Sequence, residues 1–164
     1  MYFNKYLKYK KKYINSKLIK KGGSFDLRFD LRHDLIDKTN TLIYKNNLET
    51  TTLENNEYRK VLCTSNNMQL VVMSIPIKEN IPFEIHKDHD QFIRIEKGNC
   101  NAIIGHDHKN TYTLVEGDCI IIPSNTYHEI TNTGNEPLKL YTIYTPPEHE
   151  VNRIDHVKPK IKEE

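Results

Sequence analysis

The sequence predicts an all-β protein, an antiparallel sandwich or barrel that follows a basic N-terminal arm. From Tyr58 onward, short runs rich in Val, Ile, Tyr and Thr alternate with Asn, Gly, Asp and Pro, a pattern typical of short antiparallel strands joined by turns. The 164 residues suffice for one domain with its own core, and the fractions of 37% hydrophobic and 28% charged residues fit a folded domain. We therefore expect one globular part, neither wholly disordered nor embedded in a membrane.

The arm, residues 1–24, differs from the rest of the chain in its charge. It contains eight lysines and no acidic residue, whereas the remainder carries 16 basic and 22 acidic side chains, a net charge of −6. Apolar residues recur in it at helix-like steps, namely Phe3, Leu7, Ile14 and Leu18. Because Gly22 and Gly23 follow as a C-cap or hinge, the pattern predicts a short amphipathic helix.

The arm allows three interpretations. It could be a solvated basic helix, a surface that binds nucleic acid or an anionic partner, or an address or processed leader that ends near Gly22. Its Lys- and Tyr-rich composition resembles the N-termini of giant DNA virus proteins, which would imply a virus factory or virion. The start of the chain lacks the apolar segment of a secretory signal, and the three cysteines form no Cys-x-x-Cys pair, so we expect an intracellular protein.

The remainder divides into a lead-in, a strand-rich region and a tail. Residues 25–57 are polar and irregular, with a possible short helix at 31–37, and residues 150–164 form a polar tail. Residues 58–149 carry nine predicted strands, at 59–64, 69–75, 83–86, 91–96, 101–104, 111–115, 119–122, 128–131 and 138–144.

Polar side chains on three of these strands form the candidate site. Glu84 and His86 are two residues apart in one strand and therefore point to the same face. Gln91 begins the next strand, and His128 begins a strand much further along the chain. If the sheet closes into a small barrel, one carboxylate, two imidazoles and an amide oxygen would meet inside it. That set suits a divalent transition metal.

Two gapped motifs in this region resemble those of the cupins. They are Glu84-x-His86-x4-Gln91-x6-Gly98 and Gly117-x5-Pro123-x-Asn125-x2-His128-x3-Asn132. The resemblance covers residues 58–149. It implies a double-stranded β-helix, the cupin jelly-roll barrel. Segments 90–98 and 138–149 look like the subgroup called mannose-6-phosphate-isomerase-like cupins.

The motifs depart from the commoner cupin pattern at informative positions. That pattern begins His-x-His and has Glu at the position of Gln91. In this chain the carboxylate stands at the first position, as Glu84, and an amide stands at the later one. The resemblance then implies metal ligands at Glu84, His86, Gln91 and His128, with Glu84 also the catalytic group that moves a proton. Asn125 replaces the usual Gly before the second-motif histidine, and Asn tolerates the left-handed backbone that this turn requires.

Other residues near the motifs receive weaker assignments. Tyr144 is predicted to line the pocket, and His149 and His156 could fold over the barrel mouth. The remaining histidines of the strand region are predicted to be solvated turn residues, namely His89, His106 and His108. A metal-free barrel with a polar pocket is the alternative to a metal site.

Three functions fit these observations, because a fold does not fix a function. The first is a metal-binding cupin that acts on or binds a small polar molecule, a sugar or sugar phosphate, with isomerase-like chemistry. The second is an Fe(II)-dependent dioxygenase. The third is a non-catalytic sugar-binding or structural module targeted by residues 1–24. The metal would be Zn, Fe, Mn or Ni, and the resemblance implies a homodimer.

Overall fold

The computed structural model describes residues 34–36, 42–107 and 109–160. Its strands are β1 (Asp34–Ile36), β2 (Leu42–Tyr44), β3 (Arg59–Thr64), β4 (Gln69–Ile75), β5 (Asn80–Ile85), β6 (Asp90–Lys97), β7 (Cys100–Ile104), β8 (Asn110–Leu114), β9 (Cys119–Ile122), β10 (Tyr127–Asn132), β11 (Leu138–Thr145) and β12 (Ile154–Asp155). One helix, α1 (Leu48–Glu54), precedes β3. Among these residues, no helix has the length and apolar character needed to cross a membrane.

Strands β3 to β12 form two antiparallel sheets with the core between them. One sheet has the order β5-β10-β7-β8, and the other has the order β12-β3-β4-β11-β6-β9. Both sheets contribute to a single cluster of buried apolar side chains, for example Ile81 and Ile130 from the first and Val71 and Ile93 from the second. The predicted all-β jelly roll is therefore confirmed, and all nine predicted strands are present as β3 to β11.

The lead-in differs from the prediction. Residues 34–36 form strand β1, which pairs antiparallel with β2, so the proposed short helix at 31–37 is wrong over those positions. The helix of this region is α1 instead. Asn47 caps its N-terminus by accepting a hydrogen bond from the backbone N–H of Thr50 at 3.0 Å. The basic arm, 1–24, lies outside the described residues.

The segment predicted as a polar tail contributes to the larger sheet. Strand β12 pairs with β3, with Ile154 opposite Lys60. Beyond it, His156 lies 2.7 Å from a carboxylate oxygen of Glu57. These contacts hold residues 154–156 beside the edge of the larger sheet.

A buried asparagine of the second motif joins the loop between β4 and β5 to the loop between β10 and β11. Asn132 is 2% exposed, and its amide nitrogen donates to the carbonyl oxygens of Ile75, Pro76 and Glu136 at 2.9, 3.1 and 2.9 Å. Its amide oxygen accepts from the backbone N–H of Gly134 at 2.9 Å. One side chain thus satisfies four backbone groups near the ends of β4, β10 and β11.

We expect Asn132→Ala to lower the free energy of unfolding by about 2 kcal/mol, because it leaves several backbone groups without a partner. Urea denaturation measures this change. Asn110→Ala, at an exposed position in β8, is the control and should change stability by less than about 0.5 kcal/mol. Equal losses in the two variants would contradict the role given to Asn132.

Candidate metal centre

The pairing of β5 with β10 brings Glu84 and His128 together. Glu84 lies directly opposite His128, and Ile81 lies opposite Ile130. Between these pairs one residue of β10 faces two of β5, so the register shifts by one residue. Because of this bulge, Glu84 and Ile81 both face the barrel interior although they are three residues apart.

The turn before β10 sets the position of His86. Asn125 has φ of 60°, the left-handed conformation expected at this position. Its backbone N–H donates to the carbonyl oxygen of His86 at 2.6 Å. The two motifs are therefore joined by a backbone hydrogen bond next to the candidate site.

Both histidines converge on one carboxylate oxygen. Oε1 of Glu84 lies 3.3 Å from Nε2 of His86 and 3.6 Å from Nε2 of His128. Two ligands of a tetrahedral zinc ion, each about 2.0–2.2 Å from the metal, are roughly 3.4 Å apart. These two distances thus match the spacing of ligands around one metal ion.

Two buried histidine nitrogens without hydrogen-bond partners indicate whether these residues fit a metal ion. Nε2 of His86 and Nε2 of His128 are buried and have no hydrogen-bond partner within the described residues. Nδ1 of His128 lies 3.0 Å from the carbonyl oxygen of Thr126, which fixes the ring and leaves Nε2 as the free donor atom. Buried polar atoms without a partner are costly, so this arrangement fits a bound cation. Glu84, His86 and His128 could hold one.

The carboxylate is charged over the whole physiological range. Burial by itself would raise the pKa of Glu84, but the neighbouring imidazoles of His128 and His86 outweigh it and lower the pKa to about 2. A carboxylate with so low a pKa is a good metal ligand and a weak base.

The side-chain amide of Gln91 has a donating end that is satisfied and an oxygen that is not. The side chain is 1% exposed, and its nitrogen donates to Oγ1 of Thr142 and to the hydroxyl of Tyr144, both at 3.1 Å. The oxygen is buried and accepts no hydrogen bond from the described residues. Tyr144 itself is buried, which raises the pKa of its hydroxyl. Thr142 and Tyr144 thus fix which end of the Gln91 amide is available as a neutral ligand.

Two residues that the sequence analysis did not assign to the site lie beside it. His89, predicted to be solvated, is in fact only 7% exposed, and its ring centroid is 4.4 Å from that of His86. Glu148, just after β11, lies with Oε2 3.2 Å from Nε2 of His89 and Oε1 3.9 Å from Nδ1 of His86. The sequence offered one indication of His89, because it is the only histidine between the motif residues His86 and Gln91. By contrast, His106 is exposed, as predicted, and residue 108 is outside the described residues.

The chain after β11 folds back towards the site. His149 exchanges two hydrogen bonds with Gln69: its N–H donates to Oε1 and its carbonyl accepts from Nε2, each at 2.8 Å. Its ring lies edge-on to Tyr144, with centroids 5.0 Å apart. The structure therefore places both proposed pocket residues, Tyr144 and His149, next to each other. His156 lies elsewhere, beside Glu57.

The burial of His149 predicts a pH-dependent stability. Burial, together with the charges of Arg59 and Arg153, lowers the pKa of His149 from 6.5 to about 3. Between these values the unfolded chain binds a proton that the folded chain does not, so the free energy of unfolding falls as the pH falls from 6.5 towards 3. We expect His149→Asn to lose less stability than the parent between pH 7 and pH 5.

Urea denaturation at the two pH values, with a chelator present, measures this difference. The chosen range stays above 4.5, the ordinary pKa of a glutamate such as Glu84. His156→Asn, at a histidine 79% exposed, is the matched control and should behave as the parent does. An identical pH dependence in parent and His149→Asn would contradict the prediction.

The fold and the candidate ligand set together define a class of protein: a small jelly-roll barrel with His, Glu and Gln side chains gathered inside it. The sequence of residues 71–144 matches the Cupin domain family. The chain belongs to the cupin family.

Three relatives show how far the similarity extends. Protein L612 of Acanthamoeba polyphaga mimivirus is 48% identical over 119 residues, which are 72% of this chain and 74% of that protein. Protein YrkC of Bacillus subtilis is 42% identical over 115 residues, 68% of this chain and 62% of that protein. The crystal structure of BH2720 from Bacillus halodurans superimposes with a TM-score of 0.68 at 37% identity, covering 69% of this chain and 88% of the other. The similarity thus extends beyond the two motifs, and one relative is viral.

Proposed function

We propose that this cupin binds one divalent transition metal through Glu84, His86 and His128, with Gln91 as a neutral fourth ligand, and uses it to bind or transform a small polar molecule. The observation that carries the proposal is the convergence of two buried, unpartnered Nε2 atoms on one carboxylate oxygen. The unpartnered amide oxygen of Gln91 adds to it.

Exposure gives the direction from which a ligand would approach. The side chains of Glu84 and Glu148 are 28% and 33% exposed, whereas those of His86 and His128 are 9% and 1% exposed. The carboxylates therefore lie on the solvent side and the imidazoles on the core side. A substrate would enter past the carboxylates.

The charges near the site favour an uncharged polar molecule. Within the described residues, the basic side chains within 4.0 Å of the carboxylates of Glu84 and Glu148 are all histidines. The buried Arg59 is already paired with Asp155 at 3.4 Å. Since an unpaired Arg or Lys is the usual partner of a phosphate group, we favour a sugar over a sugar phosphate as the ligand. Isomerase-like chemistry on a sugar stays within this proposal.

A bound metal would supply Lewis-acid polarisation of a carbonyl or hydroxyl oxygen. The partly exposed carboxylates of Glu84 and Glu148 would accept hydrogen bonds from hydroxyl groups of the ligand. Both contacts of Glu84 with a histidine nitrogen use Oε1, which leaves Oε2 outside them. Oε2 is the atom that would accept a proton from the substrate, although the low pKa of Glu84 makes it a weak base at neutral pH.

Calorimetric titration of the metal-loaded protein with a panel of sugars and the matching sugar phosphates tests the ligand class. We expect binding of one or more uncharged sugars, lost in Glu84→Gln. Preferential binding of the phosphates would contradict the proposed class, and no binding across both panels would contradict the choice of sugar.

A second candidate function is an Fe(II)-dependent dioxygenase. Two histidines and one carboxylate gathered on one side of a metal are the set used by non-haem iron oxygenases, and Glu84, His86 and His128 are such a set. Anaerobic loading with Fe(II), followed by oxygen-uptake measurements against a substrate panel, tests it. A filled iron site without oxygen uptake on any substrate would count against this function.

Partner binding through residues 1–24 is a further proposal, as is homodimer formation. If the arm tethers the barrel to nucleic acid or an anionic surface, removing residues 1–24 should abolish that binding and its salt dependence while the metal content stays the same. Sedimentation of the full chain measures the oligomeric state. Unchanged partner binding after truncation would contradict the tether.

A further inference from the structure

The site contains a second group of metal-ligating side chains beside the first. His86, His89 and Glu148 each present one ligand atom, and these atoms all lie within 4.8 Å of one another. Only His86 is shared with the first group. His89 and Glu148 are therefore not used by the metal site proposed above.

A buried histidine points to a ligand at this position. His89 is 7% exposed, and its Nε2 atom has no hydrogen-bond partner among the described residues although it lies 3.2 Å from Oε2 of Glu148. That separation is close to the roughly 3.4 Å expected between two ligands of one tetrahedral ion. The unpartnered nitrogen and the ligand-like spacing both fit a cation bound between these two side chains.

His86 faces the two groups with different nitrogens. Its Nε2 atom lies near Glu84, at 3.3 Å from Oε1, and its Nδ1 atom lies near Glu148, at 3.9 Å from Oε1. One carboxylate oxygen of Glu148 thus lies near His86, and the other lies near His89. The groups occupy opposite sides of one imidazole ring and do not compete for the same ligand atom.

We infer that a second divalent transition cation binds between His89 and Glu148, with Nδ1 of His86 as the third protein ligand. A neutral imidazole carries one proton and one lone pair. With both nitrogens of His86 serving as ligands, its remaining proton would be released to solvent, and one imidazole would serve both positions. Glu148 is 33% exposed, so this second position is the one nearer the solvent. The inference rests on the proposed function, because the two positions share His86.

Zinc titration of the full-length, metal-free protein by equilibrium dialysis tests the inference, with zinc counted by elemental analysis. We expect two zinc ions per chain in the parent and one in the double variant His89→Asn/Glu148→Gln. The zinc retained by that variant also shows that it is folded with an intact first site. The variant His128→Asn should lose the zinc ion held by Glu84, His86 and His128.

A matched control removes one histidine and one glutamate elsewhere. His156 and Glu57 form an exposed pair 2.7 Å apart, and His156→Asn/Glu57→Gln should keep both zinc ions. One result would overturn the second position and leave the proposed function standing. In it, the parent binds one zinc ion, His89→Asn/Glu148→Gln still binds it, and His128→Asn does not. Two zinc ions in His89→Asn/Glu148→Gln would also overturn the second position. No zinc in the parent would overturn the proposed function and this inference together.

Discussion

Replacing His86 and His128 together with alanine is expected to abolish metal binding. The parent, purified without a histidine tag and dialysed against metal-free buffer, should retain at least one equivalent, and the double variant none. The reason is that the two buried imidazoles supply two of the three charged or strongly donating ligands, which leaves Glu84 and the neutral Gln91. Elemental analysis measures the content and identifies the metal.

The control for this prediction replaces two other histidines. His106 and His156 are both exposed, so the double variant His106→Ala/His156→Ala removes the same number of imidazoles without touching the site. It should keep the full metal content. Circular dichroism should show β structure in both double variants. No metal in the parent after incubation with excess divalent ions would leave a barrel with a polar pocket and remove both enzymatic proposals.

The largest effect on stability is expected from Ile93→Ala. Ile93 is 0% exposed in β6, between Thr142 of β11 and Ile120 of β9. Removing three carbons from a close-packed core leaves a cavity and costs about 3 kcal/mol. For a domain of this size, that loss lowers the melting temperature by roughly 6–12 °C. Calorimetry and urea denaturation measure the two quantities.

Ile121→Ala is the matched control for this substitution. Ile121 is paired with Phe92 in the same sheet but is 66% exposed, so the same change of side chain creates no cavity. We expect a loss below about 1 kcal/mol, mostly from the lower strand propensity of alanine. Similar losses in the two variants would show that strand propensity, and not burial, dominates the effect at Ile93.

The strands were predictable because a half-buried strand shows an alternation that is visible in the sequence. The lead-in was not predictable by the same means. Helix α1 contains Thr50, Thr51 and Thr52, whose β-branched side chains disfavour helices. Its stability comes from contacts distant in sequence: Thr52 is fully buried, and the ammonium of Lys139 donates to the carbonyl of Asn55 at the helix end.

The two motifs by themselves indicated that Glu84, His86, Gln91 and His128 occupy inward-facing positions. They did not indicate His89 or Glu148. His89 lies in a turn, where a sequence pattern carries no information on burial, and Glu148 follows β11 at a distance of 62 residues from His86. Only the return of the chain, held by the two hydrogen bonds between Gln69 and His149, brings Glu148 to the site.

The sequence alone determined the family, the nine central strands and the first candidate ligand set, because these depend on local alternation and on spacing within two short motifs. The tertiary structure alone decided which nitrogens lack partners, how the bulge in β5 turns Glu84 inward, and which loop residues join the site. Those features depend on strand register and on contacts between segments far apart in the chain. Such contacts are set by the packing of the whole barrel, and no short stretch of residues contains them.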